Sequence, residues 1–263
     1  IPAFTTGGAP SELYCWGRGE LFENGLVDPN NMMSFEPRTS PEVVSWPSFG
    51  TASPDSLKSA SLGSRHGCVL AADSLYCWGL GDYGQLGRGD FTSGSIDGNN
   101  EIATPRPALL LDMAGEPGVL TTVKFRAVAA GELHTCALAE LPGDIALVPE
   151  KYVYCWGDNR LGQSGLEGNA LDGNHVRAEP YLLEPMRPPQ ELTRTWQPRR
   201  IVAGWATTCA LIQENFPNDG ENYKVHCWGN NSHGQAHQRK DSETDRKPQL
   251  ELYPAPVWSP AMP

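Results

Sequence analysis

The apolar residues of this chain are grouped in short runs that are separated by polar residues, glycine and proline. The longest runs, Ala108–Leu111 and Ala127–Ala130, have the length of a β-strand and fall far short of a membrane-spanning segment. The residues between Cys68 and Cys77 fold back on themselves around Ala72-Asp73, which predicts a hairpin of two short strands. The pattern therefore predicts an all-β protein with many turns.

A set of motifs recurs in the same order along the chain. Four segments contain Cys-Trp-Gly: Leu13–Gly17, Leu75–Gly79, Val153–Gly157 and Val225–Gly229. Three of them are followed by a glycine-glutamine turn, at Gly84–Gly87, Gly162–Gly165 and Gly234-Gln235. Three are preceded by a segment with a cysteine of its own: Arg65–Leu70, Leu133–Leu138 and Thr207–Leu211. Each copy predicts one small antiparallel sheet.

The hairpin register places the cysteines of one repeat opposite each other. Directly opposed residues in a non-hydrogen-bonded antiparallel pair have Cα atoms ~4.5 Å apart, which a disulfide can bridge. The register predicts the disulfides Cys68–Cys77, Cys136–Cys155 and Cys209–Cys227. Cys15 is left unpaired, and three interpretations stay open: a free buried thiol, an intermolecular bridge, or a missing upstream partner.

The tryptophan beside each second cysteine lies on the opposite face of its sheet, because side chains alternate along a strand. These residues are Trp16, Trp78, Trp156 and Trp228. On that face they can pack against the neighbouring repeat. A single small sheet cannot bury both of its faces, so the sheets must stack, and radial blades around an axis meet that need.

The order Gly-x-x-His-Thr-Cys-Ala-Leu, then Tyr-Cys-Trp-Gly, then Gly-Gln-Leu-Gly resembles the repeat of the regulator-of-chromosome-condensation family, in a cysteine-bearing variant. The resemblance covers nearly the whole chain. It implies a β-propeller, commonly seven-bladed, whose loops on one face bind proteins. Activities known in the family include nucleotide exchange on the small GTPase Ran and inhibition of bacterial β-lactamases.

The predicted fold is a single all-β propeller domain over residues 1–263, with disulfides inside its blades. It has about four blades, or it is an incomplete or half propeller of the seven-bladed type. The predicted blade cores lie near residues 2–26, 57–90, 123–166 and 199–236. Short strands near proline are expected upstream of the repeat motifs, at Pro41–Val44, Pro105–Leu111, Pro180–Leu183 and Pro254–Val257.

Closure of a four-bladed ring would depend on the two ends of the chain. Pro2–Thr6 is expected to form a degenerate second strand of the first blade, with Thr6 at the position of Cys68. Tyr253–Trp258, the closing strand 253–258, would then supply the first strand of that blade. The alternative is a half-propeller that a second chain or further sequence completes. The chain opens at Ile1 without a signal segment, which we interpret as processing or truncation.

Charge and cysteine content narrow the functions. The net charge of −11 would repel a phosphate backbone, so nucleic acid is not an expected partner. Cross-strand cysteine pairs indicate an oxidising setting, either extracellular, lumenal or periplasmic, and this disfavours Ran exchange, which is nuclear. No run reaches membrane-spanning length, so no membrane span is expected.

Other motifs are weaker. The pairs His66/Cys68 and His134/Cys136 could suggest metal ligands, but the disulfides already use these sulfurs, so no metal and no cofactor is predicted. Acidic-glycine-asparagine turns such as Asp97–Asn99 are explained by turn chemistry rather than calcium. Asn230 begins a glycosylation sequon in a predicted turn.

Long connections between the motifs are where binding specificity is expected. They lie at Phe22–Ser40, Gly89–Thr104, Ala139–Lys151, Leu166–Glu179, Gln213–Tyr223 and Gln238–Glu251. The sequence contains no recognised catalytic motif, so we predict a non-catalytic protein-binding or scaffold subunit of an extracytoplasmic assembly, with a larger complex or a second propeller half as partner. The alternatives are a secreted enzyme inhibitor, like the propellers that bind β-lactamases, and a carbohydrate-binding module.

Overall fold

The computed structural model describes the repeat segments and parts of the connections between them. The described residues are 3–4, 13–17, 37–44, 57–71, 73–89, 106–107, 124–141, 150–165, 176–182, 195–216, 220–236 and 250–256. They form fifteen β-strands and contain no helix. Within these ranges, no helical segment has the length and hydrophobicity of a membrane span.

The strands form four antiparallel sheets, and within each sheet neighbouring strands are also neighbours in sequence. Sheet 1 contains β1 (Ala3–Phe4), β2 (Leu13–Gly17) and β3 (Arg38–Val43). Sheet 2 contains β4 (Leu57–Leu62), β5 (His66–Ala71), β6 (Ser74–Gly79) and β7 (Arg106–Pro107). Sheet 3 contains β8 (Lys124–Ala130), β9 (His134–Leu141), β10 (Glu150–Asp158) and β11 (Val176–Leu182). Sheet 4 contains β12 (Thr195–Ala203), β13 (Thr207–Phe216), β14 (Gly220–Asn230) and β15 (Leu250–Pro256). The prediction of all-β propeller blades is confirmed.

The central hairpin of sheets 2, 3 and 4 has the predicted register. Cys68 lies opposite Cys77, and Leu70 lies opposite Leu75. The corresponding cysteines are opposed in sheets 3 and 4 as well. Three disulfides join them: Cys68–Cys77 (S–S 2.10 Å), Cys136–Cys155 (2.07 Å) and Cys209–Cys227 (2.00 Å). The Cα atoms of each pair are 4.1 Å apart, so each bridge clamps the two middle strands of a sheet.

The strands near proline follow the Cys-Trp-Gly strands and complete their sheets. β3, β7, β11 and β15 each pair with the Cys-Trp-Gly strand that precedes them. Leu250–Pro256 therefore belongs to sheet 4, with Ala255 opposite Cys227, and the prediction that 253–258 closes the first blade is wrong. An edge position suits these strands, because proline cannot donate a hydrogen bond to a further neighbour. The first strands of the four-stranded sheets are β4, β8 and β12.

The first sheet departs from the others at its second strand. Ala3–Phe4 pairs antiparallel with β2, as expected for the degenerate strand. The register places Ala3 opposite Tyr14 and Phe4 opposite Leu13, so Thr6 lies beyond the strand and outside the described residues. Thr6 is therefore not the counterpart of Cys68, because the hairpin loop of sheet 1 is longer than the tight turn of sheet 2.

Each sheet has two apolar faces, and successive sheets pack one face against the other. We call the side with the repeat cysteines the cysteine face and the side with the repeat tryptophan the tryptophan face. Between sheets 2 and 3, Leu70 and Leu75 of a cysteine face pack in one cluster with Tyr154 and Trp156 of the next tryptophan face. The same arrangement joins sheets 1 and 2 and sheets 3 and 4. Trp78, Trp156 and Trp228 are 0% exposed, as their predicted packing against the neighbouring repeat requires.

A buried polar seam connects sheet 2 to sheet 3. The Oγ1 atom of Thr135 donates a hydrogen bond to the carbonyl oxygen of Gln85 (2.8 Å) and lies 2.8 Å from Nε2 of His66. The Trp156 indole donates to the same Gln85 carbonyl (2.9 Å). Because the Thr135 hydroxyl spends its single hydrogen on Gln85, it accepts from His66, which is therefore protonated at Nε2.

The seam repeats between sheets 3 and 4. Nε2 of His134 lies 2.7 Å from Oγ1 of Thr208, which donates to the carbonyl oxygen of Gln163 (2.9 Å). Nδ1 of each histidine has no hydrogen-bond partner in the structure. Burial lowers the pKa of His66 to about 3, helped by the nearby His134, and lowers the pKa of His134 to about 4. Both histidines are neutral, since a proton on Nδ1 would be buried without an acceptor.

Removing the imidazole at this seam should reduce the acid sensitivity of folding. The unfolded chain takes up protons below the ordinary histidine pKa of 6.5, whereas folded His134 does so only near 4. The stabilisation is complete above about 6.5 and falls as the pH drops toward 4. Between pH 7 and 5, the unfolding free energy from urea titrations should fall by roughly 2 kcal/mol less in His134→Gln than in the original chain. Exposed His233 gives a control, His233→Gln, and an equal pH dependence in all three proteins would contradict the assignment.

Loss of one disulfide should destabilise the chain by limiting the unfolded state less. A bridge that closes a loop of this length contributes about 3 kcal/mol. Cys136→Ser/Cys155→Ser should lower the unfolding free energy by about that amount in urea titrations under oxidising conditions. Addition of a reductant should bring the original chain to the stability of the variant or below it. If the double variant were as stable as the original, the bridge would not clamp the sheet.

Candidate functional site

The seven cysteines lie inside the sheets and form no reactive surface. Six are paired, as described above, and Cys15 is the free cysteine of the described chain. Cys15 is 2% exposed on the cysteine face of sheet 1, where it packs with Trp78 of sheet 2. Burial raises the pKa of its thiol to about 11, so the thiol is protonated and weakly nucleophilic at neutral pH. This matches the interpretation of Cys15 as a free buried thiol.

One end of the sheets carries a regular set of turns, which we call the turn face. It consists of the glycine-glutamine turns at 81–88, 159–165 and 231–236 and the turns between first and second strands at 63–65, 131–133 and 204–206. One backbone hydrogen bond joins the two kinds of turn in each of the three sheets. The bonds are Leu80 N to Arg65 O (2.8 Å), Asp158 N to Leu133 O (2.9 Å) and Asn230 N to Ala206 O (2.7 Å).

The glutamine of each turn holds its own loop. Gln85 Oε1 accepts from the Tyr83 amide (2.9 Å), and Gln163 and Gln235 accept in the same way from the residue two positions earlier. The following backbone requires glycine, since Gly84 and Gly162 have φ angles of 72° and 75°. Two of these glutamines also supply the carbonyls of the buried seam. The turns are therefore fixed both by their own side chains and by the neighbouring sheet.

The turn face presents a stacked cation. Arg160 donates two hydrogen bonds through its guanidinium to the buried carboxylate of Asp158 (both 2.9 Å). The same guanidinium lies 4.7 Å from the ring centroid of Tyr83, which belongs to the glycine-glutamine turn of the preceding sheet. This contact links two turns through a cation–π interaction and leaves Arg160 exposed. An ordered arginine beside an aromatic ring is a composition typical of protein interfaces.

The opposite end of the sheets carries ion pairs. Asp73, at the tip of the β5–β6 hairpin, contacts Lys58 (2.8 Å) and Arg126 (2.6 Å). Arg126 also contacts Glu140 (2.6 Å), which lies 3.5 Å from Lys151. The hydrogen bond from Lys58 is the main cause that lowers the pKa of Asp73. These pairs tie sheet 2 to sheet 3, but exposed pairs each contribute little to stability.

The remaining predicted sites are turn residues. Asn230 is half-buried, its Oδ1 accepts from the Ser232 amide (2.9 Å), and its carbonyl accepts from Oγ1 of Thr207. Asp158 makes the equivalent turn contact with the Arg160 amide, so the asparagine has a structural role apart from its sequon. Glycosylation of Asn230 stays a prediction. Among the described residues, no group of three or more His, Cys, Asp or Glu could hold a metal ion.

The long connections lie partly outside the described residues. Of the six predicted insertions, 22–40, 89–104, 139–151, 166–179 and 238–251 lie mainly there. Gln213–Tyr223 is largely strand, because β13 continues to Phe216 and pairs through to Gly220. That insertion lengthens a hairpin. Sequence analysis missed the stack of Arg160 on Tyr83, since the two residues lie in different repeats and no spacing rule joins them.

Comparisons with known proteins agree with the repeat. The sequence model of the regulator of chromosome condensation (RCC1) repeat matches residues 73–138, and a second model of the same repeat matches residues 58–85. The chain is 25% identical over 225 residues to the ultraviolet-B receptor UVR8 of Arabidopsis thaliana, which is 85% of this chain and 38% of the receptor. It is 27% identical over 172 residues to an RCC1 domain-containing protein of Dictyostelium discoideum, covering 60% of this chain and 30% of that protein.

A human relative is similar over a shorter stretch. The E3 ubiquitin-protein ligase HERC2 is 30% identical over 125 residues, which is 46% of this chain and 2% of the ligase. The chain thus spans well under half the length of these relatives. The family matches, the four homologous sheets and the shared order of motifs lead to one conclusion. The chain belongs to the regulator of chromosome condensation (RCC1) repeat family.

Proposed function

We propose that this protein is a non-catalytic protein-binding or scaffold subunit of an extracytoplasmic assembly, and that it docks through the connections that leave its turn face. The observation that carries this proposal is the contrast between the turns and what they support. The turns at 81–88, 159–165 and 231–236 have one repeated geometry. The sequences that follow them before the next strand differ in length and composition. A rigid base with variable loops is how many binding proteins arrange specificity.

The charge of the chain favours a basic partner. The net charge is −11, so the average field attracts cationic surfaces and speeds their association. The stretch 238–247 contains both acidic and basic residues and few apolar ones, which suits the polar rim of an interface. The exposed Arg160 beside Tyr83 supplies an ordered anchor near the origin of these loops.

The three disulfides support the extracytoplasmic setting. Cytosolic thiol reductants keep structural cysteines reduced, so bridges of this kind occur mainly in secreted, lumenal or periplasmic proteins. Carbohydrate binding is less well supported, because Trp78, Trp156 and Trp228 are fully buried between sheets and cannot stack on a sugar. An inhibitor that binds a secreted enzyme would be a special case of the same protein-binding function.

Replacing a connection should weaken partner capture without unfolding the sheets. We would replace 91–100 and 238–247, in separate variants, with glycine-serine sequences of the same length. The original chain should capture a stable protein partner from its native source, and at least one variant should bind that partner about tenfold more weakly, the loss expected for an interface anchor. Lys124→Ala, at the opposite end of the sheets, is the control and should bind normally. Capture that survives both replacements, or the absence of any partner, would contradict docking by these loops.

Peptide mapping should locate the compartment. Protein isolated from its source with thiols blocked at once should yield the linked pairs 68–77, 136–155 and 209–227, because an oxidising compartment preserves them. Cys15 should react with the blocking reagent only after denaturation, since it is buried. Recovery of six blocked thiols at the paired positions would place the protein in a reducing compartment and overturn the extracytoplasmic proposal.

A further inference from the structure

The cysteine face of sheet 4 is exposed, whereas the same face is buried in the sheets before it. Val202 is 61% exposed and Val225 is 38% exposed. Their counterparts in sheet 3 are Ala129, at 5%, and Val153, at 0%. These counterparts are covered by the tryptophan face of sheet 4. The side chains of sheet 4 have the same register but no sheet packed over them.

The middle strands of sheet 4 show the same difference. Cys209 and Leu211 are partly exposed, whereas the corresponding Cys136 and Leu138 are 0% and 2% exposed. Arg200 stands opposite Leu211, and it is exposed at the position that Ala127 occupies in sheet 3. The face is therefore an apolar strip with one guanidinium beside it. Exposed apolar patches of this kind mark interaction sites, and arginine is common at such sites.

The complementary face is exposed on sheet 1. Trp16 is half-buried, and Val43, opposite Tyr14 in the register, is 40% exposed. The equivalent tryptophans of the other three sheets are 0% exposed, because each packs on the cysteine face of the preceding sheet. The chain thus exposes one tryptophan face and one cysteine face, which are the two halves of the interface that it builds internally three times.

A glycine gives independent support. A Cβ atom at Gly63 would overlap the carbonyl of Gly131, and one at Gly131 would lie 2.7 Å from the carbonyl of Gly204. At these positions glycine admits the backbone of the next sheet. Gly204 has neither a positive φ nor a close neighbour, since a Cβ there would lie 3.8 Å from Thr207 O. Gly204 therefore keeps a space that, in the other sheets, the following sheet fills.

We propose that the cysteine face of sheet 4 binds the tryptophan face of sheet 1 of a second copy of this chain, head to tail. This goes beyond the proposed function, because the partner is the chain itself and the contact is a sheet face rather than the loops. The proposed contact continues the three interfaces within the chain in the same direction. Val202 and Val43 are both exposed, so sheets 1 and 4 of one copy do not cover these residues for each other.

The first test is the oligomeric state of the full chain. Sedimentation velocity over a range of concentrations should show reversible association to at least twice the chain mass of 28.6 kDa. Association by a head-to-tail interface closes into a ring or continues as an open chain, depending on the rotation per copy, and both support the proposal. A chain that stays monomeric at all concentrations overturns it, and binding of a different protein by the loops would be unaffected.

Two variants and their mixture test the direction of the contact. Val202→Glu/Val225→Glu places carboxylates on the cysteine face of sheet 4, and Val43→Glu places one on the tryptophan face of sheet 1. Each variant alone should associate at least tenfold more weakly, because every contact would use one altered face. An equimolar mixture should regain association, since the intact sheet 1 of the first variant can bind the intact sheet 4 of the second. If Val43→Glu associates normally, the pairing is not head to tail and the proposal fails.

Two further substitutions separate association from folding. Ser64→Glu adds the same charge at an exposed turn where the next repeat has Glu132, and it should leave association unchanged. Gly204→Ala should leave the unfolding midpoint of dilute protein unchanged and weaken association, because the space it fills is open in the single copy. Normal association of Gly204→Ala would contradict close approach at this glycine.

Discussion

The structure depends on the need of each small sheet to cover two apolar faces. A sheet of three or four short strands cannot bury both faces by itself, and here the cysteine face of one sheet is buried by the tryptophan face of the next. The three tryptophans between sheets are 0% exposed, so this packing is as tight as a protein core. The disulfides act at right angles to it, since they join strands within a sheet. Cohesion within sheets and cohesion between sheets therefore have separate sources.

The polar seam adds position to this apolar packing. Apolar faces can slide, but the contact of His66 with Thr135, and that of Thr135 with the Gln85 carbonyl, fixes one sheet against the next at the turn face. Because Gln85 also shapes its own turn, the same residues set the inter-sheet register and the geometry of the surface. The connections beyond the turns are thus free to vary while the base that presents them stays constant. Protein binding by variable loops follows from that separation.

Much of the fold could be predicted from sequence because it depends on local contacts. The hairpin of Cys68 and Cys77 closes over a few residues, so its register and its disulfide follow from position alone. The edge strand Leu250–Pro256 was misassigned, because the long connection before it hides which sheet it joins. The seam was also missed, since His66 and Thr135 are 69 positions apart. Exposure of the cysteine face of sheet 4 depends on what packs over it, which no residue pattern records.

Sheet 4 departs from the repeat at the residue that would continue the seam. Sheets 2 and 3 have a buried histidine there, whereas sheet 4 has Thr207, whose hydroxyl donates to the carbonyl of Asn230 in its own sheet. A histidine at this position would be solvated in a free copy and would lose that hydration on docking, which costs free energy when no acceptor awaits Nδ1. Thr207 avoids this cost because its hydrogen bond is the same with or without a neighbour. The apolar strip thus keeps the character of the internal interfaces, while the polar position is adapted to a face that alternates between exposed and covered states.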